Sequence, residues 1–181
     1  MPFHDTPFKD LTIFEPTLLK DERGYFFESF NQREFEAAGI HAAFVQDNQV
    51  FSTIGVLRGL HYQVFPFAQA KLIRVVQGRI LDVVVDLREE KPTYGQYYSV
   101  ELDDQAHRQL FVPRGFAHGY LVLSETALVA YKCDNFYSPK HESGIRFDDP
   151  TLAIDWNFDS DRLIVSEKDR SQPLFGKHLQ I

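Results

Sequence analysis

The sequence predicts an all-β protein, a sandwich or barrel built from short strands. Three observations carry that expectation. From Phe44 to Tyr131 the chain breaks into eight short runs, with Gly, Pro, Asn or Asp at most of the joints, the spacing of a sandwich or barrel. Within Arg79–Leu87, residues Leu81, Val83, Val85 and Leu87 alternate, and a period of two puts them on one face of a strand. The chain also holds 17 Phe and 8 Tyr against one Trp, an aromatic load that suits pleated structure.

The elements follow in order. Leu11–Leu19 reads as a strand, Lys20–Gly24 as a turn and Tyr25–Phe30 as a second strand. Asn31-Gln-Arg-Glu34 has the cap and third-position acid of a capping box, and Gly39 is a helix stop, so one helix of about two turns is expected between them. The eight runs are Phe44–Ser52, Val56–Gln63, Lys71–Val76, Arg79–Leu87, Gln96–Leu102, Leu110–Val112, His118–Leu123 and Ala127–Tyr131. Gln77-Gly78 between two of them reads as a tight hairpin. After Asn135 the chain is turn-rich, and Ser166-Glu-Lys-Asp169 can cap a short helical turn.

The 181 residues fit one domain, with no linker or repeat to divide it. The formal charge of −7 argues against a nucleic-acid partner, because phosphate backbones need a basic surface. Cys133 is the only cysteine, so no internal disulfide forms, as in a reducing compartment. The start Met-Pro-Phe-His-Asp lacks a signal pattern, and no apolar run approaches the ~20 residues of a membrane span. A cytoplasmic protein with no membrane partner is expected.

The polar residues of the strands point to chemistry. Gly55–Gln63 and Lys71–Gly78 carry Arg58, His61, Gln63, Lys71 and Arg74 within strand-like segments. His61 and the His118 of Pro113-Arg-Gly-Phe-Ala-His118 have the placing of metal ligands in a β-barrel, but Gln63 and Lys71 stand where further ligands would be sought. Amide and ammonium are poor company for a transition metal, so no metal is expected. His, Lys and Tyr together suit proton transfer beside a carbonyl. His61 would be the base, Lys71 the cation at the developing oxyanion and Tyr131 the acid. A carboxylate would fix the histidine's tautomer; Asp169 is a candidate that spacing alone does not single out. In an ideal strand Arg58 and His61 point to opposite faces, so Gly59 between them is expected to mark a bulge that turns both inward. Taken singly, each residue has a plainer reading: Tyr131 as a core aromatic, Arg23 as a turn residue, Arg74 and Arg79 as surface charges.

Gln46-Asp-Asn48, Val56-Leu-Arg-Gly-Leu-His-Tyr-Gln63, Lys71-Leu-Ile-Arg-Val-Val-Gln-Gly78, Pro113-Arg-Gly-Phe-Ala-His-Gly119, Tyr131-Lys132 and Ser166-Glu-Lys-Asp169 occur in this order. Together they closely resemble the dTDP-4-dehydrorhamnose 3,5-epimerases, from Asp21 to Pro173. The chain departs from that pattern at Gln49-Val50, where the family often has His-Ser, and at Phe67, which replaces a frequent histidine. The resemblance implies a double-stranded β-helix (cupin or jelly roll) with short peripheral helices, working as a homodimer without metal or other cofactor. It implies inversion at C3 and C5 of dTDP-4-dehydro-6-deoxy-D-glucose in dTDP-L-rhamnose biosynthesis, with His61 as base, Asp169 its partner, Lys71 at the C4 oxygen and Tyr131 as acid. The nucleotide site would use Arg23, Glu28, Gln46, Asp47, Asn48, Arg58, His118, Glu142 and Lys168, with Tyr137 stacked on thymine. Arg23 and Glu28 would come from the partner, through exchange of the N-terminal stretch up to about residue 30, while residues 136–181 would form an irregular wrap. The alternatives at this level are a mono-epimerase acting at C3 or C5 alone on a dTDP-4-keto-deoxysugar of another deoxysugar pathway, a metal-dependent cupin enzyme, and a silent sugar-binding cupin.

Overall fold

The structure, a computed structural model, describes residues 2–181. Fourteen strands and two short α-helices follow one another. They are β1 (Phe3–Asp5), β2 (Thr12–Phe14), β3 (Leu19–Asp21), β4 (Gly24–Phe26), α1 (Gln32–Ala37), β5 (Gln46–Thr53), β6 (Val56–Gln63), β7 (Lys71–Gln77) and β8 (Arg79–Asp86). After these come β9 (Tyr97–Asp103), β10 (Gln109–Val112), β11 (Phe116–Val122), β12 (Thr126–Cys133), β13 (Glu142–Gly144), β14 (Ile164–Val165) and α2 (Glu167–Arg170).

The eight strands β5–β12 form two sheets. One has the order β10-β7-β12-β5 and the other β6-β11-β8-β9. The chain passes back and forth between them, which is the double-stranded β-helix, or jelly roll. β1 and β2 extend the first sheet beside β10, while β13 and β14 flank β6 in the second. Among the described residues no helix is long and apolar enough to cross a membrane.

Two expectations about local structure are corrected. Gln77-Gly78 is not a hairpin: β7 and β8 lie in different sheets, and Gly78 turns the corner between them. Its φ of +85° suits glycine alone, and a Cβ there would strike the Thr126 carbonyl. The Gly78 N–H donates to Asp104 Oδ2 at 2.7 Å, so the corner is tied to the end of β9 and not to a partner strand. The strand expected over Leu11–Leu19 is two strands separated at Pro16, which has no N–H for a ladder. The second of them, β3, pairs only with β4 in a two-stranded ribbon.

Strand parity divides the side chains into three layers. Ile73 and Val75 of β7, Leu110 and Val112 of β10, and Val129 of β12 meet Ile80, Val84, Tyr120 and Val122 between the sheets. On the outer face of the second sheet, Leu81, Val83 and Val85 are covered by Ile145, Phe147, Leu152 and Trp156 of the C-terminal wrap. That is why β8 is buried on both faces. Each such aliphatic side chain contributes roughly 1.5–3 kcal/mol when fully buried. α1 covers the outer face of the first sheet by placing Phe35 against Phe14, Leu72 and Phe111. Its cap Asn31 accepts from the Arg33 N–H, a position earlier than the capping-box bond.

Candidate active site

The inter-sheet space is apolar at one end and polar at the other. The strands that supply Ile73, Val75 and Val129 to the core also carry Lys71 and Tyr131 on the same inner face, two residues further along. The polar end holds two adjoining chambers of about 360 and 280 Å³. His61, Lys71 and Tyr131 line both of them.

Gly59 does what the alternation requires. His118 pairs with His61 and Tyr120 with Arg58, so two steps on β11 match three on β6. This bulge puts Arg58 and His61 on the same face, and both line the smaller chamber. Gly59 has φ +128°, and a Cβ on it would lie 2.5 Å from Gly119 Cα. Only glycine permits this approach of β6 to β11.

His61 Nε2 lies 2.6 Å from Asp169 Oδ1. The acid is brought there by α2, where the Asp169 N–H donates to the cap Ser166 Oγ at 3.1 Å. Burial raises the Asp169 carboxyl pKa, but hydrogen bonding from His61 and Gly59 outweighs it, and the group stays below the usual carboxylate range. An ionised Asp169 holds the histidine proton on Nε2 and leaves the Nδ1 lone pair free as a base.

Lys71 has no ion-pair or hydrogen-bond partner among the described residues. Burial lowers its pKa, while Cys133, Asp82 and Glu142 act in the opposite direction. Tyr131 is pushed up to about 12, chiefly by burial and then by Cys133 and Tyr120. At neutral pH it therefore keeps its proton and can give it away.

Most of the remaining candidate residues surround these four. Gln46 and Asn48 line the larger chamber from β5, and Gln46 Nε2 donates to Asn48 Oδ1 at 3.0 Å. Tyr137 stands 52% exposed at its mouth, its hydroxyl donating to Glu142 Oε2 at 2.7 Å. Lys168 Nζ donates to the same oxygen at 2.6 Å. Burial raises the Glu142 pKa, but Lys168 and Tyr137 outweigh it and hold the carboxyl below its ordinary value. Arg58 and His118 line the smaller chamber. Three cations, Arg58, Lys71 and Lys168, thus collect in a chain of net charge −7.

Three candidates stand apart. Asp47 lies between Gln46 and Asn48 and so points from the opposite face of β5, where Lys132 Nζ donates to it at 2.9 Å. Arg23 is on the β3–β4 ribbon, paired with Asp21. Glu28 accepts from Asn31 Nδ2 at 3.2 Å beside α1. Neither Arg23 nor Glu28 lines either chamber of its own chain. β1 and β2 pair within this chain, so the N-terminal part that joins neither sheet is the ribbon.

Sequence reasoning missed several residues. Asp82 is fully buried and lies 2.9 Å from His118 Nε2; the signal was a lone acid inside the apolar run of β8. Cys133 lines the larger chamber, two residues beyond Tyr131 on the same face. Gln63, singled out in the sequence for its polarity, has an anchoring part that spacing did not show: it donates to the Phe67 and Phe136 carbonyls and accepts from the Ser138 N–H. Among the described residues no three His, Cys, Asp or Glu side chains group as a metal site.

A jelly roll whose interior sets a His–Asp dyad, a half-buried lysine and a protonated tyrosine around one chamber is the scaffold of an enzyme for proton transfer beside a carbonyl. A family model described as dTDP-4-dehydrorhamnose 3,5-epimerase matches residues 5–177, and the chain belongs to that family. The dTDP-4-dehydrorhamnose 3,5-epimerase of Methanothermobacter thermautotrophicus is 49% identical over 93% of this chain and 91% of its own. The crystal structure of dTDP-4-dehydrorhamnose 3,5-epimerase from Elizabethkingia anophelis superposes with a TM-score of 0.93 at 50% identity, covering 96% of each chain. That of dTDP-6-deoxy-D-glucose-3,5-epimerase from Legionella pneumophila, in complex with dTDP-4-keto-L-rhamnose, gives 0.92 at 44% identity, covering 97% of this chain and 93% of that one.

Proposed function

We propose that the chain inverts C3 and C5 of dTDP-4-dehydro-6-deoxy-D-glucose to give dTDP-4-dehydro-L-rhamnose, a step of dTDP-L-rhamnose biosynthesis for cell-surface polysaccharide. The observation that carries this reading is the position of His61 and Tyr131 on facing sheets of one chamber, with Lys71 lining both cavities beside them. Both reacting carbons flank the C4 ketone. His61 Nδ1 takes the proton from carbon, and the C–H electron pair moves onto the C4 oxygen as an enolate. The Lys71 ammonium stabilises that oxygen. Tyr131 returns a proton to the opposite face of the same carbon, and the configuration inverts. The step is a proton exchange with no net redox change, so it requires no nicotinamide or flavin.

Arg58 and Lys168 supply positive charge for the pyrophosphate, and Tyr137 offers an aromatic plane at the mouth for thymine. We further propose a cytoplasmic homodimer in which the partner's N-terminal stretch, its β3–β4 ribbon and the residues that follow up to about 30, brings its arginine and glutamate to the mouth. Leu19, Tyr25 and Phe26 of the ribbon are 61%, 57% and 63% exposed, which is apolar surface suited to cover by a second copy.

The test is turnover of the dTDP-sugar in deuterium oxide, followed by NMR. Deuterium at both C3 and C5 supports the reading. Exchange at one position alone would make the protein a mono-epimerase, and no exchange would remove it from this class.

A further inference from the structure

One buried polar group of the chamber has neither a role in the mechanism above nor a partner within the protein. Tyr120 of β11 is 4% exposed, and its phenol oxygen has no hydrogen-bond partner. Buried polar atoms are nearly always paired, and leaving one unpaired is unfavourable. The neighbouring buried groups of the same sheet obey that rule: Asp82 holds His118, and Asp86 holds Arg88. Ser52 is the nearest candidate partner, but its Oγ, which accepts from Arg58 Nε at 3.2 Å, is not in hydrogen-bonding geometry with the phenol. The other unpaired buried side-chain atom among the described residues, Arg108 Nε, lines neither chamber.

The place of Tyr120 is fixed. Its ring belongs to the inter-sheet core with Val84, Val122 and Val129, so packing alone asks for a ring without a hydroxyl. It sits opposite Arg58 in the strand register and lines the smaller chamber together with His61, Lys71 and Tyr131. The base, cation and acid meet in that chamber, whereas Tyr137, the aromatic at the mouth, belongs to the larger one. Asp169 of the dyad lines only the smaller chamber, so Tyr120 stands on the dyad's side of the site, next to Arg58.

We propose that the Tyr120 hydroxyl is a substrate-binding group, pairing by a hydrogen bond with an oxygen of the sugar ring and not with the nucleotide. The inference rests on the sugar-nucleotide reading given above. The free protein carries a buried, unpaired donor at the wall of the chamber, and bound sugar satisfies it.

Tyr120→Phe tests this, because it keeps the ring and removes only the hydroxyl. For the dTDP-sugar, kcat/KM should fall about three- to tenfold, the worth of one neutral hydrogen bond. Affinity for dTDP alone, measured by calorimetry, should stay unchanged. The melting temperature should stay level or rise, since an unpaired polar atom has left the core. Wild-type kcat/KM in the variant would overturn the proposal. A lowered melting temperature would show that the hydroxyl is paired within the protein, and weakened dTDP binding would place its contact on the nucleotide; either result overturns it too. If the unaltered protein fails to turn over the dTDP-sugar, the parent reading fails and this one falls with it.

Discussion

His61 and Tyr131 enter the same chamber from opposite sheets, His61 from β6 and Tyr131 from β12. A group on each side of a planar enolate is what inversion needs, because one face must lose the proton and the other receive it. Tyr131→Phe should leave His61 able to exchange the carbon-bound proton with solvent while completed inversion falls by about 10²–10⁴-fold. Deuterium incorporation and product formation measured in the same reaction check this. Equal loss of both would argue against the acid role.

The dyad makes a second prediction. Asp169 fixes the His61 tautomer through one short hydrogen bond. Asp169→Asn keeps the shape but presents an amide that can donate to Nε2 and favour the wrong tautomer. Turnover should fall by about 10³–10⁴-fold, by comparison with the effect of that change in serine-protease triads. His61→Asn should abolish turnover and solvent exchange together. Exchange at the wild-type rate in His61→Asn would remove it as the base.

The pH profile should report Lys71. Burial lowers its pKa, so its charge is lost as pH rises through a value below the ordinary lysine range of about 10.4. The alkaline limb of kcat/KM, which reads the free enzyme, is therefore expected below about pH 10. If Tyr131 controlled that limb, it would lie near 12.

Acid stability follows from two buried carboxylates. Asp169 and Asp86 are both pushed up by burial, yet both are held below the ordinary value, Asp169 by His61 and Asp86 by Arg88 and Thr93. Their folded pKa values lie below the unfolded value of about 3.9, so the unfolded chain takes up protons first as pH falls. Their stabilisation is present above about pH 4 and is lost as pH drops through the folded values. A denaturant series from pH 7 to pH 2 should show the loss, and a stability flat across that range would contradict it.

Asp86 also gives a prediction at neutral pH. Its two oxygens accept from Arg88 Nε and Nη2, both at 2.8 Å, and from Thr93 Oγ1 at 2.6 Å. Asp86→Ala should cost about 3 kcal/mol, the lower end for breaking a buried pair, because Asp10 and the Lys9 carbonyl still engage the guanidinium. Urea unfolding at pH 7 measures it.

The sequence by itself determined the strands and much of the chemistry. Alternation in β8, the Gly59 bulge, the inner-face grouping of Lys71 with Ile73 and Val75, and the Ser166 cap are all local, and local spacing is written into the chain. The order of motifs carried the family, and with it the roles given to His61, Lys71, Tyr131 and Asp169. Tertiary structure decided what depends on distant partners. Asp169 meets His61 across 108 residues, a contact no local pattern encodes. Gly78 looked like a hairpin because a turn residue does not reveal which sheet the next strand joins. Asp47 sat between two chamber residues in sequence, yet a strand turns each neighbour to the other face, so it faces Lys132. Tyr120 read as one more core aromatic; only the packed molecule shows that its hydroxyl is left without a partner at the wall of the chamber.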